Sequence, residues 1–140
     1  MLQNEPIQIC VLVNADIEKA WEAFVSPSHI TGWNFASDDW QCPEATNDLC
    51  VGGKFSYRME AKDGSMGFDF GGIYLIAIPL EKIEYKLEDG RNVSVSFEKT
   101  GNNQTLVTEV FEAEQINSKE LQQAGWQAIL NNFKQYTETL

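Results

Sequence analysis

NSKELQQAGWQAILNNFKQYTETL, residues 117–140, is the stretch on which the fold turns. Trp126, Ile129, Leu130, Phe133 and Thr137 recur at the spacing of one helical face. Leu121, Ala124 and Ala128 widen that apolar side. Asn117 followed three residues later by Glu120 offers a capping box. The pattern predicts a helix of about five turns. The residues before it read mostly as strands, so the fold depends on how a sheet covers this helix.

Immediately upstream, residues 105–113 place Val107, Glu109, Phe111 and Ala113 opposite Leu106, Thr108 and Val110. Residues 92–99 carry Val93, Val95 and Phe97 on one face, and residues 101–104 turn between the two strands. Lys82–Leu87 is a shorter strand closed by the Asp89, Gly90 turn. Residues 66–78 form a long strand, with Phe68 and Phe70 on one face and Asp69 on the other. Gly71 and Gly72 within it permit a bulge or sharp bend, and Pro79 ends it. Lys54–Ala61 alternates Phe55, Tyr57, Met59 and Ala61 with Ser56, Arg58 and Glu60, and the Asp63, Gly64 turn joins the pair.

Residues 33–53 are the least regular part, with two tryptophans, two cysteines, one proline and the acidic pair Asp38, Asp39. A weak strand is expected over residues 40–45, with turns at Asn47, Asp48 and at Gly52, Gly53. Such a segment either closes over a cavity or packs as a satellite core. Ahead of it, Ser26 and Pro27 start a brief helix that Gly32 closes. The helix before that is expected to be capped by Asn14, with Asp16 and Glu18 near its positive end. Its apolar stripe is Ile17, Ala20, Trp21 and Phe24. Pro6–Val13 reads as a first strand, with Ile7, Ile9, Val11 and Val13 on one face. Cys10 and Leu12 on the other face suggest that both sides meet protein.

The order is strand, two short helices, five or six strands, long helix. It predicts an α+β, helix-grip architecture in one domain, residues 1–140: a curved antiparallel sheet wrapped around the C-terminal helix. A curved sheet and one helix need not fill the volume between them, and such a gap suits a small apolar ligand.

A net charge of -11, from 21 acidic and 10 basic residues, opposes binding to nucleic acid and to anionic membranes. No apolar run approaches a membrane span, and the first 16 residues lack a secretion signal. Three cysteines cannot all pair within one chain, which suits a reducing compartment. A cytoplasmic protein, monomer or homodimer, is expected.

Several motifs in this order resemble the START-like (SRPBCC) superfamily. More narrowly, they resemble bacterial homologues of the C-terminal domain of the activator of Hsp90 ATPase. They are the strand ending at Val13, Ala20 with Trp21, Ser26 with Pro27 leading to Trp33, and NDLCVGGKF at residues 47–55. Gly72, Ile73, Tyr74 and Pro79 follow, then Gly125, Trp126 and Gln127 with Leu130, Asn132, Phe133 and Tyr136. One departure is Cys50, where the family pattern has arginine. The resemblance implies a helix-grip fold with a cavity. Relatives in the superfamily bind lipids, steroids, polyketides or plant hormones there, and some catalyse cyclisation or hydrolysis. The eukaryotic co-chaperone carries an additional amino-terminal domain that does much of the Hsp90 binding. A role with an Hsp90-type chaperone is therefore not supported.

Candidate chemistry is sparse. His29 stands alone in the short second helix, without a predictable partner. Cys42 and Cys50 are eight positions apart, which is not a structural zinc spacing, and neither metal nor cofactor is expected. A reactive thiol at Cys50 is the alternative to an ordinary free cysteine. Gly52 and Gly53 lack the spacing and the lysine of a phosphate loop. Among the acids, Asp38, Asp39, Asp48, Asp69 and Glu109 stand out; Glu109 shares a face with Val107 and Phe111, a costly place in a dry core. Arg58 is placed to pair with such an acid across strands. Large rings supply the walls of a cavity or the filling of a core: Trp33, Trp40, Phe55, Tyr57, Phe68, Phe70, Tyr74, Phe97, Trp126 and Phe133. With Leu130, Arg58, Asp69 and Glu109 these are the expected ligand-pocket residues. The function they favour is binding of a small hydrophobic or amphipathic molecule between sheet and helix. A cyclase- or hydrolase-like enzyme, or a protein-interaction module, are the alternatives. No catalytic residue is assigned.

Overall fold

The computed structural model describes residues 6–140, so the first five residues of the stretch read for a secretion signal lie outside it. Strand β1 (Pro6–Val13) leads into helices α1 (Ile17–Val25) and α2 (Pro27–Ile30). Six strands follow: β2 (Trp40–Asn47), β3 (Lys54–Ala61), β4 (Gly67–Ile78), β5 (Lys82–Leu87), β6 (Asn92–Gly101) and β7 (Gln104–Glu112). Helix α3 (Lys119–Glu138) ends the chain. All seven strands form one antiparallel sheet in the order β1-β7-β6-β5-β4-β3-β2. β1 closes onto the far side of the meander, so β1 and β2 are its two edges.

Alternation explains the layering. Ile7, Ile9, Val11 and Val13 of β1 are buried, as are Val93, Val95 and Phe97 of β6 and Val107, Glu109 and Phe111 of β7. Their neighbours in sequence point outward. Cys10 and Leu12 are exposed, so the outer face of β1 does not meet protein as its apolar residues suggested. Helix α3 lies along β1 and also touches α1. Leu130 and Phe133 are its fully buried anchors, each contributing about 2 kcal/mol through apolar burial. Leu121, expected on the apolar side, is exposed.

Both long-range helix starts fall slightly later than the sequence suggested. Ser118, not Asn117, caps α3, its hydroxyl accepting the Leu121 N–H at 3.1 Å. Asn117 instead donates its backbone N–H to Glu114, and Glu120 lies in the first turn. Asp16, not Asn14, caps α1 by accepting the Lys19 N–H at 2.9 Å. Asn14 donates its backbone N–H to Glu138.

The glycines of β4 do not bend the strand by a bulge. Gly71 and Gly72 stay in register with Ser56 and Phe55, and the register shift comes further on, between Tyr74 and Ile76. Gly72 is needed for close approach: a Cβ there would stand 2.5 Å from the Lys86 carbonyl oxygen and 3.1 Å from the Phe55 ring. β2 carries its own irregularity between Gln41 and Glu44, around Pro43, where an edge strand tolerates a missing donor.

Candidate functional site

Two groups of rings divide the interior. In the first, Phe24 packs against Trp33, Phe97 and Phe133 with centroids 5.2–5.4 Å apart, and Trp21 meets Phe97 edge-on. This group fills the space between α1, α3 and β6. In the second, Phe55 packs against Tyr57, Phe70, Tyr74 and Tyr85 along β3, β4 and β5. Helix α3 leans toward β1, so this second half of the sheet is only partly covered. The result is a cavity of about 150 Å³.

Each wall comes from a different element. β3 contributes Phe55, Tyr57 and Met59; β4 contributes Phe68, Phe70 and Tyr74; β5 contributes Ile83 and Tyr85. Trp126 and Ile129 of α3 form the roof, and Phe24, Val25, Trp33 and Asn34 the side. Phe68 is half exposed, which places it at the mouth. Trp126 lies across the top, stacked on Phe111 and edge-on to Phe70.

Polar groups are few and held in place. Asn47, at the end of β2, donates its side-chain amide to the Val25 carbonyl at 2.7 Å and accepts the Tyr74 hydroxyl at 2.6 Å. Burial pushes the Tyr74 phenol up to about 12. Burial also raises Tyr57 and Tyr85 well above the usual phenol range, aided at Tyr57 by Tyr74 and at Tyr85 by Glu109. All three phenols are therefore neutral hydrogen-bonding groups at ordinary pH. Glu109 enters the cavity from β7, between Ile9 of β1 and Val95 of β6 in the ladder. It is 8% exposed and has no hydrogen-bond or ion-pair partner among the described residues. Burial alone pushes its carboxyl up to about 8.

Eight of the expected pocket residues line this cavity: Trp33, Phe55, Tyr57, Phe68, Phe70, Tyr74, Glu109 and Trp126. Six do not. Phe97, Leu130 and Phe133 are spent on the dry core. Trp40 packs beside Phe68, outside the cavity wall. Arg58 and Asp69 lie on the outer face of the sheet, paired with each other at 3.5 Å, while Arg58 also meets Glu60 at 3.1 Å. They alternate with the inward rings of β3 and β4, so neither can orient a molecule in the cavity. Ile83 and Tyr85 also line the cavity and were missed, although their alternation with Glu84 and Lys86 marks them as an inward face of the short strand. Phe24, Met59 and Ile129 lie on apolar faces that spacing does mark, although not as cavity wall, whereas Val25 and Asn34 join the wall through tertiary packing that spacing does not encode.

The remaining candidates are structural. His29 does have a partner: its Nδ1 lies 2.7 Å from the Tyr136 hydroxyl, tying α2 to α3. Cys50 is exposed, and partial desolvation together with Asp48 pushes its thiol up, the opposite of what a nucleophile needs. Among the described residues no group of three or more His, Cys, Asp or Glu side chains could hold a metal ion. Among the described residues no helix is long and apolar enough to cross a membrane. A second groove on the outer face runs past Ile73, Leu75, Lys86 and Glu88; it lacks the buried acid and most of the rings of the first.

Comparison with known proteins agrees with this architecture. The AHSA1-like protein from Aeromonas hydrophila is 41% identical, with a TM-score of 0.85 over 95% of this chain and 93% of its own. A protein from Cytophaga hutchinsonii is 50% identical, with a TM-score of 0.82 over 95% of this chain and 92% of its own. A Chromobacterium violaceum protein shares the fold at 22% identity, with a TM-score of 0.84 over 96% of this chain and 98% of its own. No curated protein matches the chain. The pattern of the family described as activator of Hsp90 ATPase homolog 1-like protein matches residues 14–138. With the helix grip, the curved sheet and the Trp126-roofed cavity in place, the chain belongs to that AHSA1-like family of the SRPBCC superfamily.

Proposed function

We propose that this chain binds a small apolar or amphipathic molecule in the cavity beneath Trp126. The observation that carries the reading is a buried carboxyl, Glu109, left without a partner in an otherwise aromatic enclosure. A dry core would exclude such a group or pair it, because leaving it unsatisfied costs several kcal/mol, roughly. The volume of about 150 Å³ fits a single ring, the size at which an apolar protein cavity takes up benzene.

Titration with benzyl alcohol tests this, followed by amide chemical shifts in solution. Saturable shifts at Tyr57, Phe70, Tyr85 and Trp126 are expected, and Ile129→Trp, which fills the cavity, abolishes them. Shifts confined to the outer face, or unaffected by Ile129→Trp, would sink the reading. Native mass spectrometry of freshly purified protein then seeks a co-purifying molecule.

Glu109 and the Tyr85 phenol also favour a second reading, in which the bound molecule undergoes proton transfer. A carboxyl poised near neutral pH is suited to general acid–base work. In that case Glu109→Gln removes turnover while leaving binding of the neutral substrate in place.

A further inference from the structure

The geometry points to a cation as the cavity's ligand: an amine on a group about the size of one ring, its ammonium seated against Glu109. This inference rests on the binding reading above and names the class of ligand. Among the described residues Glu109 is the one carboxyl in the wall; no lysine, arginine or histidine lines it. Its ladder neighbours Ile9 and Val95 are apolar. The Tyr85 phenol of β5 interacts with it, and the other groups lining the same cavity are the neutral phenols of Tyr57 and Tyr74 from β3 and β4 and the uncharged Trp126 and Ile129 of α3. Arg91, whose charge acts on Tyr85, does not line the cavity and is committed to Asp89 at 2.9 Å and to the Glu112 carbonyl at 3.2 Å.

An ammonium satisfies both features at once. It gives Glu109 the hydrogen-bonded counter-charge the protein withholds. The rings of Phe55, Phe70 and Trp126 line the cavity, and an aromatic ring attracts a cation held over its face at close range. An anion would meet that carboxyl and those ring faces with no compensating charge. The overall charge of -11 draws cations toward the protein as well.

Entry of the cation displaces a proton. In the empty protein the Glu109 carboxyl is neutral up to about pH 8. When the ammonium binds, the carboxyl ionises and its proton passes to solvent, so the cavity stays neutral before and after. No bond to carbon changes.

Three isosteric probes decide the matter: benzylamine, benzyl alcohol and benzoate, titrated calorimetrically between pH 5.5 and 7.5. Benzylamine is fully charged throughout this range. Benzylamine should bind at least ~10-fold more tightly than benzyl alcohol at pH 7.5, with affinity rising up to ~10-fold per pH unit, and benzoate should not bind. Glu109→Gln should bring benzylamine down to the benzyl alcohol affinity and flatten its pH dependence. Benzyl alcohol or benzoate binding as tightly as benzylamine overturns the inference but leaves the binding reading standing. Failure of all three probes overturns both. Should Glu109→Gln not fold, wild-type titrations at pH 6.5 in buffers of different ionisation enthalpy give the proton count. Release of nearly one proton per benzylamine is expected, and release of none overturns the inference.

Discussion

Trp126 lies flat on Phe111, ring centroids 3.9 Å apart and planes 9° from parallel. The pair joins α3 to β7 at the point where the helix passes over the cavity. The other edge of the indole meets Phe70 of β4 at 5.9 Å, so one side chain spans the gap between the two halves of the sheet. Trp126→Ala removes both contacts and opens the roof. The expected loss is about 3 kcal/mol, read from urea midpoints, with Trp126→Phe retaining roughly half of it. An unchanged midpoint for Trp126→Ala would mean that neither ring contact helps to hold α3 on the sheet.

Glu109 makes stability depend on pH in the direction opposite to most carboxylates. Its folded carboxyl titrates at about 8, far above the ordinary value of 4.5. Below the unfolded value both states carry the proton and no penalty arises. As pH rises from there, the unfolded chain ionises while the folded protein keeps its proton, so stability falls until about pH 8 and then levels off. Glu109→Gln removes this loss. The variant should gain on the wild type by up to about 3 kcal/mol as pH rises from 5 to 8, the cost of burying the amide being the same at every pH. Denaturation curves at three pH values check it, and a difference independent of pH refutes the burial of a neutral acid.

Much of this architecture was legible in the chain because most burial follows strict alternation. The inward faces of β1, β6 and β7 were readable one residue at a time, and the acid at 109 stood out because it broke an apolar face. The site was less legible. Phe55 and Phe97 look alike in sequence, each an inward ring in an alternating strand. One borders the cavity and the other is sealed by Trp21 and Phe24, and only the lean of α3 toward β1 separates their fates. Arg58 and Asp69 misled for a related reason. They alternate with rings, and a polar residue beside rings attracts attention although the pleat sends it to the other face. Asn47 was read as a turn residue, since nothing local signals its bonds to Val25 and Tyr74.

The two glycine types in the loops should respond differently to alanine. A Cβ on Gly53 would collide with the Asp48 carbonyl oxygen, a backbone atom that cannot swing aside. Gly64 has φ +79 but open space around it. Gly64→Ala therefore costs only the left-handed conformation, about 1–2 kcal/mol. Gly53→Ala must move the loop between β2 and β3 and should cost about 3 kcal/mol or more. Thermal midpoints of the two variants decide it, and equal losses would show that the loop relaxes freely.

The free edge of β1 is covered by one face of α3. Gln127 Nε2 donates to the Cys10 carbonyl at 3.1 Å, Lys134 Nζ to the Leu12 carbonyl at 2.8 Å, and Glu138 accepts the Asn14 N–H at 2.7 Å. Residues 10, 12 and 14 turn their backbone groups to the same side because the strand period is two. Residues 127, 134 and 138 share a helix face because they differ by seven and four. An edge strand left bare is a template for pairing with another chain. Lys134 also pairs with Glu138 one turn on, and that partner together with the Asn14 N–H holds the Glu138 carboxyl below its usual range. This ion pair is partly exposed and contributes only about 0.3–0.5 kcal/mol. Gln127→Ala and Lys134→Ala should each cost about 1 kcal/mol through the lost carbonyl partner. Glu138→Ala should speed hydrogen exchange at the Asn14 amide. The double variant Lys134→Ala, Glu138→Ala should fall short of the sum of its parts by the small ion-pair energy. Unaltered exchange at Asn14 would show that the bond to Glu138 contributes nothing in solution, leaving Gln127 and Lys134 as the side chains that tie α3 to this edge.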